Sequence, residues 1–82
     1  SVDGIDSEKG FSTYYDEETF VDRTMLSQAE NCIVVADSTK FGRSAFSKIS
    51  DLDVADFLVT DFPPLKNEEQ NIEKYGIDLI YA

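Results

Sequence analysis

The chain has no histidine and no tryptophan, one cysteine, and seven basic residues against seventeen acidic ones. Each shortage excludes a class of chemistry. Without histidine or paired cysteines there is no ordinary zinc-ligand spacing, and no Ser/His or Cys/His pairing for nucleophilic catalysis. The lone Cys32 cannot close an internal disulfide, which fits a reducing, cytoplasmic setting. It opens an apolar run and reads as a small core residue. A net charge of −10 opposes nucleic-acid binding by this segment, because phosphate contacts need Lys and Arg. The same charge opposes an anionic membrane surface. No apolar run is long enough to span a membrane, and no signal-peptide pattern is present. A Walker loop, a GxGxxG turn and a GxSxG elbow are missing as well. Nothing here implies a metal or a cofactor.

What is present suffices for a small α/β unit. Of 82 residues, 41% are apolar, and six Phe and four Tyr supply core volume without Trp. A chain this short buries a modest fraction of its surface. Ile33-Val34-Val35-Ala36 reads as a strand buried on both faces, closed by Asp37 and followed by the polar loop Ser38-Thr39-Lys40-Phe41-Gly42-Arg43. Open parallel α/β sheets bind ligands just beyond the carboxyl ends of their strands. Charge is distributed accordingly: residues 1–36 carry a net −6, residues 37–49 a net +2, and residues 50–82 a net −6. The only positive island therefore coincides with that loop, where a small phosphate could be held while the acidic remainder repels polyanions.

The first ten residues look like the tail of a strand whose beginning lies outside the chain, with Asp3-Gly4 as a turn signal. Asp3 and Asp6 are close enough in sequence to face one cavity. Gly10-Phe11-Ser12-Thr13 continues as loop. A helix is predicted from Asp16 to Glu30, capped by Thr13 or Asp16, with Glu17 and Glu18 near its positive end. Val21, Met25, Leu26 and Ala29 form its inward arc, and Asp22, Arg23, Gln28 and Glu30 face water. Residues 44–49 suit either a short strand or a helical turn. Ser50 to Val54 suggests one helical turn capped by Ser50. Asp56 to Asp61 repeats the form of the first strand. Pro63-Pro64 precedes a helix over Leu65–Tyr75, with Ile72 and Tyr75 inward and Gly76 at its end. Ile77 to Tyr81 is a last strand. Strands alternating with helices indicate a parallel sheet.

Taken together, Asp3-Gly4-Ile5-Asp6, Gly10-Phe11-Ser12-Thr13, Glu17-Glu18, Val35-Ala36-Asp37-Ser38-Thr39-Lys40-Phe41-Gly42-Arg43 and Thr60-Asp61 resemble the effector-binding domain of DeoR-family transcriptional regulators. Order and spacing match along nearly all of the chain. The resemblance implies that residues 1–82 are the C-terminal part of one sensor domain. That domain would be a three-layer α/β unit with a mostly parallel sheet, related to ribose-5-phosphate isomerase and the CoA transferases. The DNA-binding winged helix-turn-helix would lie outside the chain. It also implies a phosphorylated sugar or sugar-derived effector, a role in repression, and homo-oligomerisation. Lys40 would meet the phosphate, Asp3 and Asp6 would bind sugar hydroxyls, and Asp37 would orient the loop. The alternative is a sugar-phosphate isomerase-like enzyme on the same fold. Gly4 departs from that enzyme's pattern, which has an acid there, and the carboxylate set for proton transfer is incomplete.

Overall fold

A computed structural model describes residues 2–82. The chain opens with a β-hairpin, β1 (Gly4–Asp6) and β2 (Gly10–Thr13), paired antiparallel with Ile5 opposite Phe11. The turn is made by Asp6, whose Oδ1 accepts the N–H groups of Glu8 and Lys9 at 2.9 Å each. Gly10 completes it with φ +85°, where a Cβ would collide with the Ser50 carbonyl oxygen at 2.1 Å. The expectations of a turn at Asp3-Gly4 and of loop over Gly10–Thr13 are therefore corrected. Asp3-Gly4 enters a strand, and the turn falls three residues later. Ile5 and Phe11 are both core residues.

Helix α1 (Asp16–Gln28) follows, with three acids in its first turn, where the positive end of the helix dipole favours them. Its N-cap is Tyr15, without a side-chain capping bond, rather than Thr13 or Asp16. Its packing also differs from the apolar-arc expectation. Leu26 packs partly against the core, whereas Val21 and Met25 are exposed and Ala29 lies beyond the last turn. Polar contacts hold the helix instead. The Thr19 hydroxyl donates to Ser47 Oγ at 2.7 Å, and Arg23 donates to the Ile49 carbonyl.

Strands β3 (Ile33–Val35), β5 (Phe57–Thr60) and β6 (Asp78–Tyr81) form a parallel sheet in the order β3-β5-β6. Strand β4 (Ser47–Ser50) instead joins the hairpin in an antiparallel sheet of order β1-β2-β4, with a bulge between Phe11 and Ser12. The α/β class stands, but the parallel sheet is one of two. A single 3-10 turn over Leu52–Val54 follows Asp51 rather than a Ser50 cap. Helix α2 (Lys66–Lys74) buries Ile72, but Tyr75, expected inward, is exposed; Gly76, at φ +79°, ends the helix.

The core joins Ile5, Phe11, Ile49, Leu52, Ala55, Leu58, Ile72 and Ile77. Each large member contributes about 1.5–3 kcal/mol by leaving water. Strand β3 is not buried on both faces. Val34 packs against the core, while Ile33 and Val35 are 60% and 67% exposed. The cause is its position at the sheet edge, where its second face meets no covering layer among the described residues.

Candidate functional site

Strands β3 and β5 lie side by side and parallel, so the residues after them, Asp37 and Asp61, stand at the same end of the sheet. From Asp37 the chain makes one 3-10 turn, Ser38–Lys40. Asp37 caps that turn: its Oδ1 accepts the Thr39 N–H at 2.9 Å and also the Thr39 hydroxyl. An aspartate followed two residues later by a free amide forms this local ring readily. The Thr39 hydroxyl first, then the Thr39 amide and the nearby Lys40 ammonium, hold the Asp37 carboxyl below its ordinary range.

Asp61 pins the same turn from the neighbouring strand. Its Oδ1 accepts the Ser38 N–H at 2.7 Å and the Phe62 N–H at 2.9 Å. The Ser38 amide is the main reason that its carboxyl also lies below the ordinary range. Two carboxylates thus fix the first two amides of the loop. Lys40 extends from it with Nζ 4.0 Å from Asp37 Oδ2. This is a loose ion pair in solvent, worth little in itself and readily exchanged for a stronger anion.

Beyond Lys40 the loop is tied to the hairpin. Phe41 bridges Ile5, and the Gly42 N–H donates to the Ile5 carbonyl at 2.8 Å. Gly42 adopts φ +75°, a backbone conformation that glycine enters at no steric cost. The Ala45 N–H then donates to Ser12 Oγ at 2.8 Å. The segment after Lys40 therefore runs along β1, next to Gly4.

Of the four residues singled out from the sequence, Asp37 and Lys40 are brought together. Asp3 stands at the open end of the hairpin, where its Oδ2 accepts the Thr13 hydroxyl at 2.9 Å and the Tyr14 N–H at 3.1 Å. Asp6 is at the opposite end, occupied with the turn. The two do not meet, since Asp3 precedes β1 and Asp6 is its last residue. Lys48 is paired with Asp51 at 2.5 Å. Asp61 is the residue that sequence reasoning missed in this role. The available signal was the repeated form of an apolar strand ending in aspartate.

A groove of about 250 Å³ lies elsewhere, between α1 and β3, with walls that include Met25, Leu26, Ile33, Val35 and Val54. No lysine or arginine lines it. It offers a phosphate no cation, and the polar loop with Lys40 is the better candidate.

A family described as the DeoR C terminal sensor domain matches residues 1–62. The chain is 38% identical over 79 residues to a putative aga operon transcriptional repressor of Escherichia coli O157:H7, covering 96% of the chain and 29% of that protein. It is 31% identical over 74 residues to the HTH-type transcriptional repressor GlcR of Bacillus subtilis (strain 168), covering 90% and 29%. It is 27% identical over 78 residues to the glycerol-3-phosphate regulon repressor of Escherichia coli (strain K12), covering 95% and 31%. The chain thus spans about three tenths of the length of these curated relatives.

Proposed function

The chain belongs to the DeoR C-terminal sensor domains, and from that premise we propose that it is the effector-reading part of a cytoplasmic repressor of sugar metabolism. The family is one of transcriptional regulators, and the domain is a sensor rather than an enzyme. The isomerase-like alternative is set aside on that ground. The effector in this reading is a phosphorylated sugar or a related metabolite. One relative carries glycerol 3-phosphate in its name, which supports a small phosphate ester as the ligand class.

The observation that carries the reading is the Asp37–Lys40 turn. It lies beyond the carboxyl ends of two parallel strands, where ligands of such sheets bind, and within the only stretch of net positive charge. Lys40 meets the phosphate and gives up its loose contact with Asp37. Asp37 keeps the turn in shape. Asp3 accepts sugar hydroxyls from the hairpin side, and Asp6 does so only through the oxygen that the turn leaves free. Residues 1–82 are then the C-terminal part of one three-layer sensor domain of the isomerase and CoA transferase type.

DNA contacts fall to a winged helix-turn-helix outside this chain. Effector binding alters them only by favouring one of two conformations. Exposed apolar residues such as Met25, Ile33, Val35 and Phe46 support assembly into a homo-oligomer.

Calorimetry on the intact regulator tests the site. Titrations with inorganic phosphate and a panel of phosphorylated sugars compare wild type, Lys40→Ala and Lys48→Ala. A lysine–phosphate contact is worth roughly 1.5–3 kcal/mol, so Lys40→Ala should weaken binding about ten-fold or more. Lys48, already paired with Asp51, should matter little. Unchanged binding by Lys40→Ala alongside weakened binding by Lys48→Ala would place the site elsewhere.

A further inference from the structure

We infer that Asp61 is a positioning residue for the effector loop that also sets the loop's selectivity against bare phosphate; this rests on the reading of Lys40 above. Every hydrogen bond found for the Asp61 carboxylate goes to one oxygen. Oδ1 accepts from Ser38 N at 2.7 Å, Phe62 N at 2.9 Å and Thr60 Oγ1 at 3.4 Å. The bond to Ser38 crosses 23 residues of sequence and joins the start of the effector loop to the segment leading into α2. The bond to Phe62 fixes that segment from its other side. One atom therefore sets the entry angle of the Ser38–Lys40 turn and the exit angle of β5.

The charge has a separate effect. Asp61 and Asp37 hold adjacent amides, Ser38 and Thr39, so both carboxylates stand at the start of the loop, where its donors stabilise them as anions. The loop thus presents Lys40 against a background of two negative charges. A bare phosphate dianion is repelled by that background and gains only the lysine. A phosphate ester with hydroxyls gains further bonds to Asp3 and is held in spite of the repulsion. Asp61 gives up affinity for the phosphate group so that free phosphate does not occupy the sensor.

Position and charge separate in two variants. Asp61→Asn keeps an acceptor at Oδ1, and its amide replaces Oδ2, which makes no hydrogen bond among the described residues. Asp61→Ala removes both the acceptor and the charge. The experiment measures amide hydrogen exchange at Ser38 and Phe62 without ligand, and inorganic-phosphate affinity by calorimetry, in the intact regulator. Both amides should be protected in wild type and Asp61→Asn and exchange faster in Asp61→Ala. Removing one nearby negative charge should tighten phosphate binding by about two- to five-fold in Asp61→Asn, an effect that fades with added salt. Asp61→Ala should show no such gain, because the loop is no longer held.

Equal protection of Ser38 in all three proteins would overturn the positioning role. Weaker or unchanged phosphate binding by Asp61→Asn, in a protein where Lys40→Ala does weaken it, would overturn the selectivity role. If Lys40→Ala has no effect on phosphate, the underlying site assignment fails instead. The exchange data still decide positioning in that case, since they use no ligand.

Discussion

Arg23 bonds to the backbone of Ile49. From the middle of α1 its Nε donates to the Ile49 carbonyl at 3.0 Å, and Nη2 donates to the neighbouring Lys48 carbonyl at 2.5 Å. The guanidinium thus closes over the outer edge of β4, opposite the edge paired with β2. An edge strand presents carbonyls that need partners, and a planar fork can satisfy two neighbouring ones together. This contact joins α1 to the antiparallel sheet, beside the bonds from Thr19 to Ser47 and from the Thr13 hydroxyl to Glu18.

Arg23→Ala should therefore destabilise the fold by about 1 kcal/mol, the value for a charge-assisted bond reduced for solvent exposure. Arg23→Lys should recover less than half of that, because a point-like ammonium cannot bridge both carbonyls. Urea midpoints for the three proteins decide it. Equal stability of wild type and Arg23→Ala would mean that the helix is held by other contacts.

Alkaline pH tests a second long-range contact. The Tyr81 hydroxyl donates to Glu69 Oε2 at 2.5 Å, tying the last strand to α2. Burial of the phenol, then the hydrogen bond and charge of Glu69, push its pKa up to about 12 from an ordinary 10.0. A raised folded-state pKa means that the neutral form is favoured by folding. The stability it contributes is fully present below pH 10 and is lost as the pH rises towards 12. Phenolate absorbance should show a step near pH 12 that Tyr81→Phe abolishes. Identical wild-type and Tyr81→Phe curves near pH 12 would mean that the bond to Glu69 is absent in solution.

What could be read from the sequence follows from how local each cause is. The 33–35 and 57–60 strands were legible because each is an apolar run closed by a polar residue. The end of α2 was legible because Gly76 follows a helical pattern directly. Asp37 as the organiser of its loop was legible too, since its acceptor is used two residues away. The antiparallel sheet was not: Ser12 and Thr13 look like loop residues, although Ser12 pairs with Gly4 and β4, some 35 residues later, covers the other edge of β2. Helical periodicity assigned Arg23 to water because it carries no information about the carbonyls of another strand. The same limit hid Asp61, whose decisive donor lies on a different strand connection. The exposure of β3 was unreadable for a related reason, because a buried run looks the same at the edge of a sheet as at its centre.

Gly4 provides a further test, on the contact between hairpin and effector loop. A Cβ at this position would sit 2.5 Å from Ser12 Oγ, 2.6 Å from the Arg43 carbonyl oxygen and 3.1 Å from the Ala45 nitrogen. Ser12 Oγ cannot swing aside freely, because it accepts the Ala45 N–H, and the other two atoms are backbone. The segment after Gly42 must therefore move. Gly4→Ala should cost about 1–3 kcal/mol, the range for overpacking a close contact, read from denaturation midpoints. Ser12→Ala in the same background removes one clash but leaves the Arg43 carbonyl and frees the Ala45 amide, so it should restore only part of the loss. Gly4→Asp, which introduces the acid found at this place in the isomerase pattern, should be at least as damaging as alanine. Full recovery in the double variant, or a neutral Gly4→Ala, would mean that the loop does not lie against β1 as closely as these distances require.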